Sequence, residues 1–191
     1  TFESDLWHGH YYVKEDQHLP GYLPNDEIWE IDATYEDQNL PAILLEKEVE
    51  NQPTESYFTK TDIVTGEPVE GAKLQILDEE GTVVREWITT KEEHLEYALP
   101  AGNYILHEEL PPLEDGYVSA EDVSFEVKED GTITKVEMKD DFSKVDISKT
   151  DITGDTELVG VKLQVLNSKE EVLDEWISDG TEHPIEYLPV G

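Results

Sequence analysis

Three short stretches each place an ionisable residue in phase with apolar neighbours: Phe58-x-Lys60, Tyr104-x-Leu106-x-Glu108 and Val136-x-Met138-x-Asp140. Read as β-strands, the residues within each stretch share one face, because strand side chains alternate with period two. Three readings are open. The strand ends reach water and the groups are solvated. Or they are buried as an ion-paired cluster, since unpaired buried charges are costly. Or they react. An apolar core disfavours the ammonium form of a lysine and the ionised form of a glutamate. A neutral Lys60 amine is then a nucleophile beside the Asp140 carboxyl, and a protonated Glu108 can polarise that carboxyl and shuttle the proton. The product is an intramolecular isopeptide bond.

The same positions recur. KTDIVTGEPVEGAKLQIL (60–77) matches KTDITGDTELVGVKLQVL (149–166) at an offset of 89 residues, and the offset holds for Gly71/Gly160, Trp87/Trp176, His94/His183, Leu99/Leu188 and Gly102/Gly191. LWHGHYYVKE (6–15) matches LPAGNYILHE (99–108), so Glu15 repeats Glu108, while Asn51 stands 89 residues before Asp140 and Lys149 stands 89 after Lys60. A fixed period of this kind marks a tandem array. It predicts the second half of one module over 1–53, a complete module over 54–142 and the first half of a third over 143–191. Only the complete module holds lysine, acid and acceptor together. The opening TFESDLWHG reads as an internal piece of something longer.

The elements that must position these residues read as strands. In the complete module they are 55–62, 72–78, 82–89, 94–99, 103–109, 122–128 and 132–139, separated by VTGEP, EEGT, LPAG, PPLEDG and KEDGT, where Gly, Pro and Asp supply turn dihedrals. EDG between two alternating runs is a hairpin signal, and 89–99 has room for a turn of helix. Seven short strands in one period predict an all-β protein of small β-sandwiches.

Composition narrows the function. Asp and Glu number 47 against 13 Lys and Arg, a net charge of −34, which repels nucleic acid and anionic membrane surfaces. There is no cysteine, hence no disulfide and no thiolate metal site. No apolar run approaches the roughly 18 residues of a membrane span.

KTD-x-x-TG-x-P-V-x-GA-x-L-x-I (60–76), then G-x-Y-x-L-x-E (102–108) and P-x-x-x-x-GY (111–117), resembles the SpaA-type, or Cna protein B-type, domains of Gram-positive surface proteins and pilins. The resemblance covers nearly the whole chain. It implies transthyretin-like, Ig-like β-sandwiches serving as stalk or shaft modules of an extracellular, cell-wall-anchored adhesin or pilus, with no anchor motif in this chain. It implies no enzyme with turnover and no cofactor. It assigns Lys60 as the isopeptide lysine, Glu108 as the acid/base and Asp140 as the acceptor, with Glu15, Asn51 and Lys149 as half-site equivalents. The family more often carries Asn at the acceptor, as this chain does at Asn51. With Asp the bond forms with loss of water rather than ammonia. Asp141 is the neighbouring acceptor candidate, out of phase with the core.

Other readings stand beside this one. Asp140, Asp141, Asp146 and Asp151 are oxygen donors close in sequence, without EF-hand spacing. His8-x-His10 is a possible metal pair, yet no metal site is assigned. Glu108 and Glu109 as a hydrolytic pair would face opposite sides of a strand. Trp87 and Trp176 belong to the core or to a glycan-stacking surface. LPVG (188–191) is a turn rather than a sorting signal, since Leu99–Gly102 occupies the same place in the repeat. The partners expected are neighbouring modules, with an unknown host ligand as an alternative, or a second copy completing the half-modules head to tail in a filament.

Overall fold

The computed structural model describes residues 7–34, 48–154 and 156–189. Gly191, the last point of the repeat offset, and the end of LPVG lie outside them. The chain is built of strands: β1 (Gly9–Lys14), β2 (Ile28–Ala33), β3 (Glu55–Asp62), β4 (Lys73–Leu77), β5 (Val83–Ile88), β6 (His94–Tyr97), β7 (Gly102–Leu110), β8 (Val123–Val127), β9 (Thr134–Asp140), β10 (Lys144–Ile147), β11 (Val159–Leu166), β12 (Val172–Asp179) and β13 (His183–Glu186). The seven strands expected over 54–142 are β3 to β9, each within two residues of its expected bounds. The helical turn considered over 89–99 is absent: that segment is a bend followed by β6. A 3-10 turn instead spans Leu113–Asp115, where Pro112 precedes it and Gly116 closes it in the left-handed conformation at φ 81°.

By chain contacts there are two compact units. One comprises 1–56, 95–102 and 126–134; the other comprises 57–94, 103–125 and 135–191. In the first, β1 and β2 form an antiparallel hairpin, Gly9 opposite Ala33 and Lys14 opposite Ile28, and Trp29 and Leu99 are buried. The second unit carries the core of interest.

Strand order explains that core. One sheet runs β6-β3-β9 and the other β5-β4-β7-β8. β3 alternates strictly, with every second residue buried: Ser56, Phe58, Lys60 and Asp62. β9 does the same with Val136, Met138 and Asp140. Their apolar partners are Leu74 and Ile76 on β4 and Tyr104 and Leu106 on β7, all buried. This is the two-layer solution for sheets with one apolar face each.

The KEDGT turn, expected as a hairpin, does something else: β8 and β9 belong to different sheets. A sandwich needs corners where the chain changes sheet, and the same Asp-Gly chemistry serves a corner as well as a hairpin. The third segment forms two further ribbons, β10 with β13 and β11 with β12.

Candidate functional site

Lys60, Glu108 and Asp140 meet inside the second unit. Register brings them there. β4 and β7 pair with Leu74 opposite Glu108 and Ile76 opposite Leu106, which sets Glu108 on the apolar face. Lys60 Nζ lies 2.9 Å from Glu108 Oε1 and forms an ion pair with Asp140 Oδ1. The Lys60 side chain is 1% exposed and those of Glu108 and Asp140 are wholly buried. The solvated reading of these strand ends is thereby removed. Phe58 and Met138, two residues before Lys60 and Asp140 respectively, are also buried.

Each member is held. Glu108 Oε2 accepts the backbone N–H of Ala120 at 2.7 Å, fixing the carboxyl so that Oε1 faces the lysine. The chain just beyond the two strand ends is tied across, Ile63 N–H donating to Asp140 O at 2.9 Å. Two acids and one base share this space, so full ionisation would bury an unbalanced negative charge. Burial accordingly pushes the Asp140 carboxyl up to about 6, against the pull of the Lys60 cation and with the help of the Glu108 charge. Neither Asp140 oxygen has a donor in hydrogen-bonding geometry among the described residues. Asp140 is therefore a buried carboxyl that holds its proton to higher pH than a solvated one. A cavity of about 90 Å³ lined by Lys60, Phe58, Trp87 and His94 adjoins the lysine, enough for a few water molecules.

Asp141 is directed elsewhere: its carboxylate accepts from Lys144 Nζ at 2.8 Å. Glu15 and Asn51 also meet. Asn51 Nδ2 donates to Glu15 Oε1 at 2.6 Å, and Glu15 Oε2 accepts Asn25 N–H at 3.0 Å, the same bond that Ala120 gives Glu108. Lys149, half-buried, receives Glu157 Oε2 on its backbone N–H at 3.0 Å.

Sequence reading missed several groups around the trio. Ala120 is invisible because it acts through its backbone. Asp62 carries a signal that went unused: it is in phase with Lys60 on β3. Its Oδ1 accepts the N–H groups of Val64 and Thr65, and its Oδ2 accepts the hydroxyls of Tyr187 at 2.7 Å and Tyr117 at 3.1 Å. Burial raises the Asp62 carboxyl, but these four donors more than offset it and hold it down at about 2. Trp87 stacks on His94 with ring centres 4.1 Å apart, and Trp176 stacks on His183 in the same way. The repeated Trp and His positions were visible in the sequence; their mutual contact was not. Among the described residues no group of three or more His, Asp or Glu is placed to hold a metal ion.

Comparison with known proteins agrees with this architecture. Residues 55–141 match the SpaA prealbumin-like fold domain. Among solved structures, the TIE protein of Bacillus anthracis aligns with TM-score 0.54 and 26% identity, over 94% of this chain and 34% of its own. BcpA, the major pilin subunit of Bacillus cereus, aligns with TM-score 0.43 and 25% identity over 50% of this chain and 31% of its own. The shaft pilin SpaA of Lactobacillus rhamnosus GG aligns with TM-score 0.38 and 17% identity over 62% of each chain. The chain thus spans about a third of the length of the first two. No curated protein sequence matches it.

Proposed function

Taking residues 55–141 as a SpaA-type prealbumin-like domain, we propose that this chain is a load-bearing structural segment of an extracellular surface protein, stapled by an isopeptide bond between Lys60 and Asp140. The observation that carries the reading is the buried Lys60 amine held between Glu108 and Asp140. The neutral amine of Lys60 attacks Asp140 Cγ, forming a C–N bond. Protonated Glu108 delivers its proton to the departing hydroxyl and recovers one from the attacking nitrogen. Water leaves, and the adjoining cavity gives it somewhere to go. Alignment of the reacting atoms before reaction contributes several kcal/mol of the barrier reduction. The event happens once per module, so the chain is not a turnover enzyme.

In the same reading 54–142 is the complete module. Glu15 and Asn51 are the acid and acceptor of the half-module at 1–53, and Lys149 is the lysine of the half-module at 143–191. The chain's partners are neighbouring modules. The strongly acidic surface fits an exposed, solvated stalk.

The test is intact mass. Closure removes one water, about 18 Da, and peptide mapping locates the branched Lys60–Asp140 fragment. Lys60→Ala, Asp140→Ala and Glu108→Ala are expected at full theoretical mass. A parent chain at full mass would sink the proposal.

A further inference from the structure

Beside the Lys60–Glu108–Asp140 site, a second feature is built twice. Around Gly21 four hydrogen bonds tie three segments together: Leu23 N–H to Gln52 O (2.8 Å), Thr54 N–H to Gly21 O (2.9 Å), Ala98 N–H to Thr54 O (3.0 Å), and Thr54 Oγ1 to Leu99 O (2.6 Å). Around Gly116 the same four recur: Val118 N–H to Asp141 O (3.0 Å), Ser143 N–H to Gly116 O (2.8 Å), Tyr187 N–H to Ser143 O (3.0 Å), and Ser143 Oγ to Leu188 O (2.8 Å). In both, the residue before the Leu-Pro turn is left-handed without being glycine: Ala98 and Tyr187 each have φ 57°. In both, a Cβ on the glycine would fall 2.3 Å from the opposing backbone. A joint this close admits only glycine at that point.

The two joints differ at the residue before the Leu-Pro turn. Where the first has Ala98, the second has Tyr187, whose ring stacks on Phe142 at 3.9 Å and whose hydroxyl reaches the buried Asp62 carboxylate at 2.7 Å, next to Tyr117. We infer that the surface formed by Asp62, Gly116, Tyr117 and Phe142 is a docking site for the tyrosyl-Leu-Pro turn of the following module, a carboxylate–phenol clasp that fixes the angle between successive modules. The backbone lattice gives every such joint its register. The phenol selects a following module that carries tyrosine at the turn and makes that joint the stiffer kind. This surface is distinct from the Lys60–Asp140 pair and holds whether or not that bond has formed. Because Ser143 lies three residues beyond Asp140, the clasp also places the joint at the mouth of the stapled core.

The chain has no cysteine, so two introduced thiols can be spin-labelled without background. Labels at Glu80→Cys and Lys169→Cys, both exposed turn positions, report the joint by pulsed dipolar spectroscopy. The parent should give one narrow distance distribution. Gly116→Ala should broaden it at least about twofold, and Tyr187→Phe, which keeps the stack and loses the phenol, should broaden it measurably. Circular dichroism establishes that each variant is folded; if Gly116→Ala is not, Tyr187→Phe decides alone. A parent distribution as broad as that of a folded Gly116→Ala overturns the joint. A Tyr187→Phe distribution superimposable on the parent overturns the clasp.

Discussion

Asp140 and Asp62 sit on adjacent strands, both buried, and are driven in opposite directions. Burial pushes Asp140 up to about 6 against the pull of Lys60, whereas Asp62 has four donors and is held at about 2. The signs follow from linkage. A carboxyl raised in the folded state keeps its proton there while the unfolded chain loses it, so stability falls as pH climbs from near 4 to 6. A lowered carboxyl gives stability that is lost as pH falls from near 4 to 2. A chain that cannot close its bond, such as Glu108→Gln, is expected to be most stable near pH 4. It should lose stability toward pH 7, because burial still raises Asp140 once the Glu108 charge is gone, read as chemical-denaturation midpoints across pH. The closed parent has no titrating Asp140 and should lack the loss above pH 4; the acid limb from Asp62 should remain in both. Ser56 supplies a second expectation. Its hydroxyl is fully buried with no hydrogen-bond partner among the described residues, so Ser56→Ala removes a desolvated polar group. The melting temperature should hold or rise, by the equivalent of about 1 kcal/mol at most. A clear drop would show a partner for that hydroxyl.

At the scale of elements, β3 and β9 do two jobs with one pattern. Phe58 and Met138 bury the apolar face, and Lys60 and Asp140 continue it two residues on. The packing residue therefore orients the ionisable one. Met138 is completely buried, and Met138→Ala should cost about 2–5 kcal/mol. It should also slow closure of the bond, because a slack β9 misplaces Asp140 against Lys60. Purified soon after expression, this variant should contain a mixture of closed and full-mass chains where the parent is uniform. Uniform closure would show that β9 is held in place by its neighbours alone. β7 contributes differently. Its register against β4 sets Glu108 opposite Leu74, and the Ala120 N–H fixes which oxygen meets the lysine.

At the scale of the molecule, a bond from Lys60 to Asp140 closes a loop of about 80 residues, the size at which a cross-link adds roughly 4–5 kcal/mol by constraining the unfolded chain. It also joins the first and last strands of the module. With the proposed bond closed, tension entering before β3 and leaving after β9 would pass through it instead of peeling strands apart. Pulled from its ends in a single-molecule experiment, the parent should fall short of the contour length of Glu108→Ala by about 270 Å, about 80 residues at some 3.4 Å each. Equal contour lengths would show an open module. This staple suits a chain without cysteine, which has no disulfide available.

The sequence by itself determined the strands, the apolar faces and the identity of the trio. Strand periodicity is local, and Lys60, Glu108 and Asp140 each announce themselves by sharing phase with Phe58, Leu106 and Met138. Pairing Glu15 with Asn51 was legible for the same reason, through the repeat offsets. Tertiary structure decided what no local pattern encodes. It made KEDGT a corner between sheets, because turn chemistry fixes a reversal but not which sheet receives the next strand. It gave the outward Asp141 its partner, Lys144. It brought Tyr187 to Asp62, 125 residues away along the chain, because a phenol and a carboxylate become partners only once packing has removed the water between them.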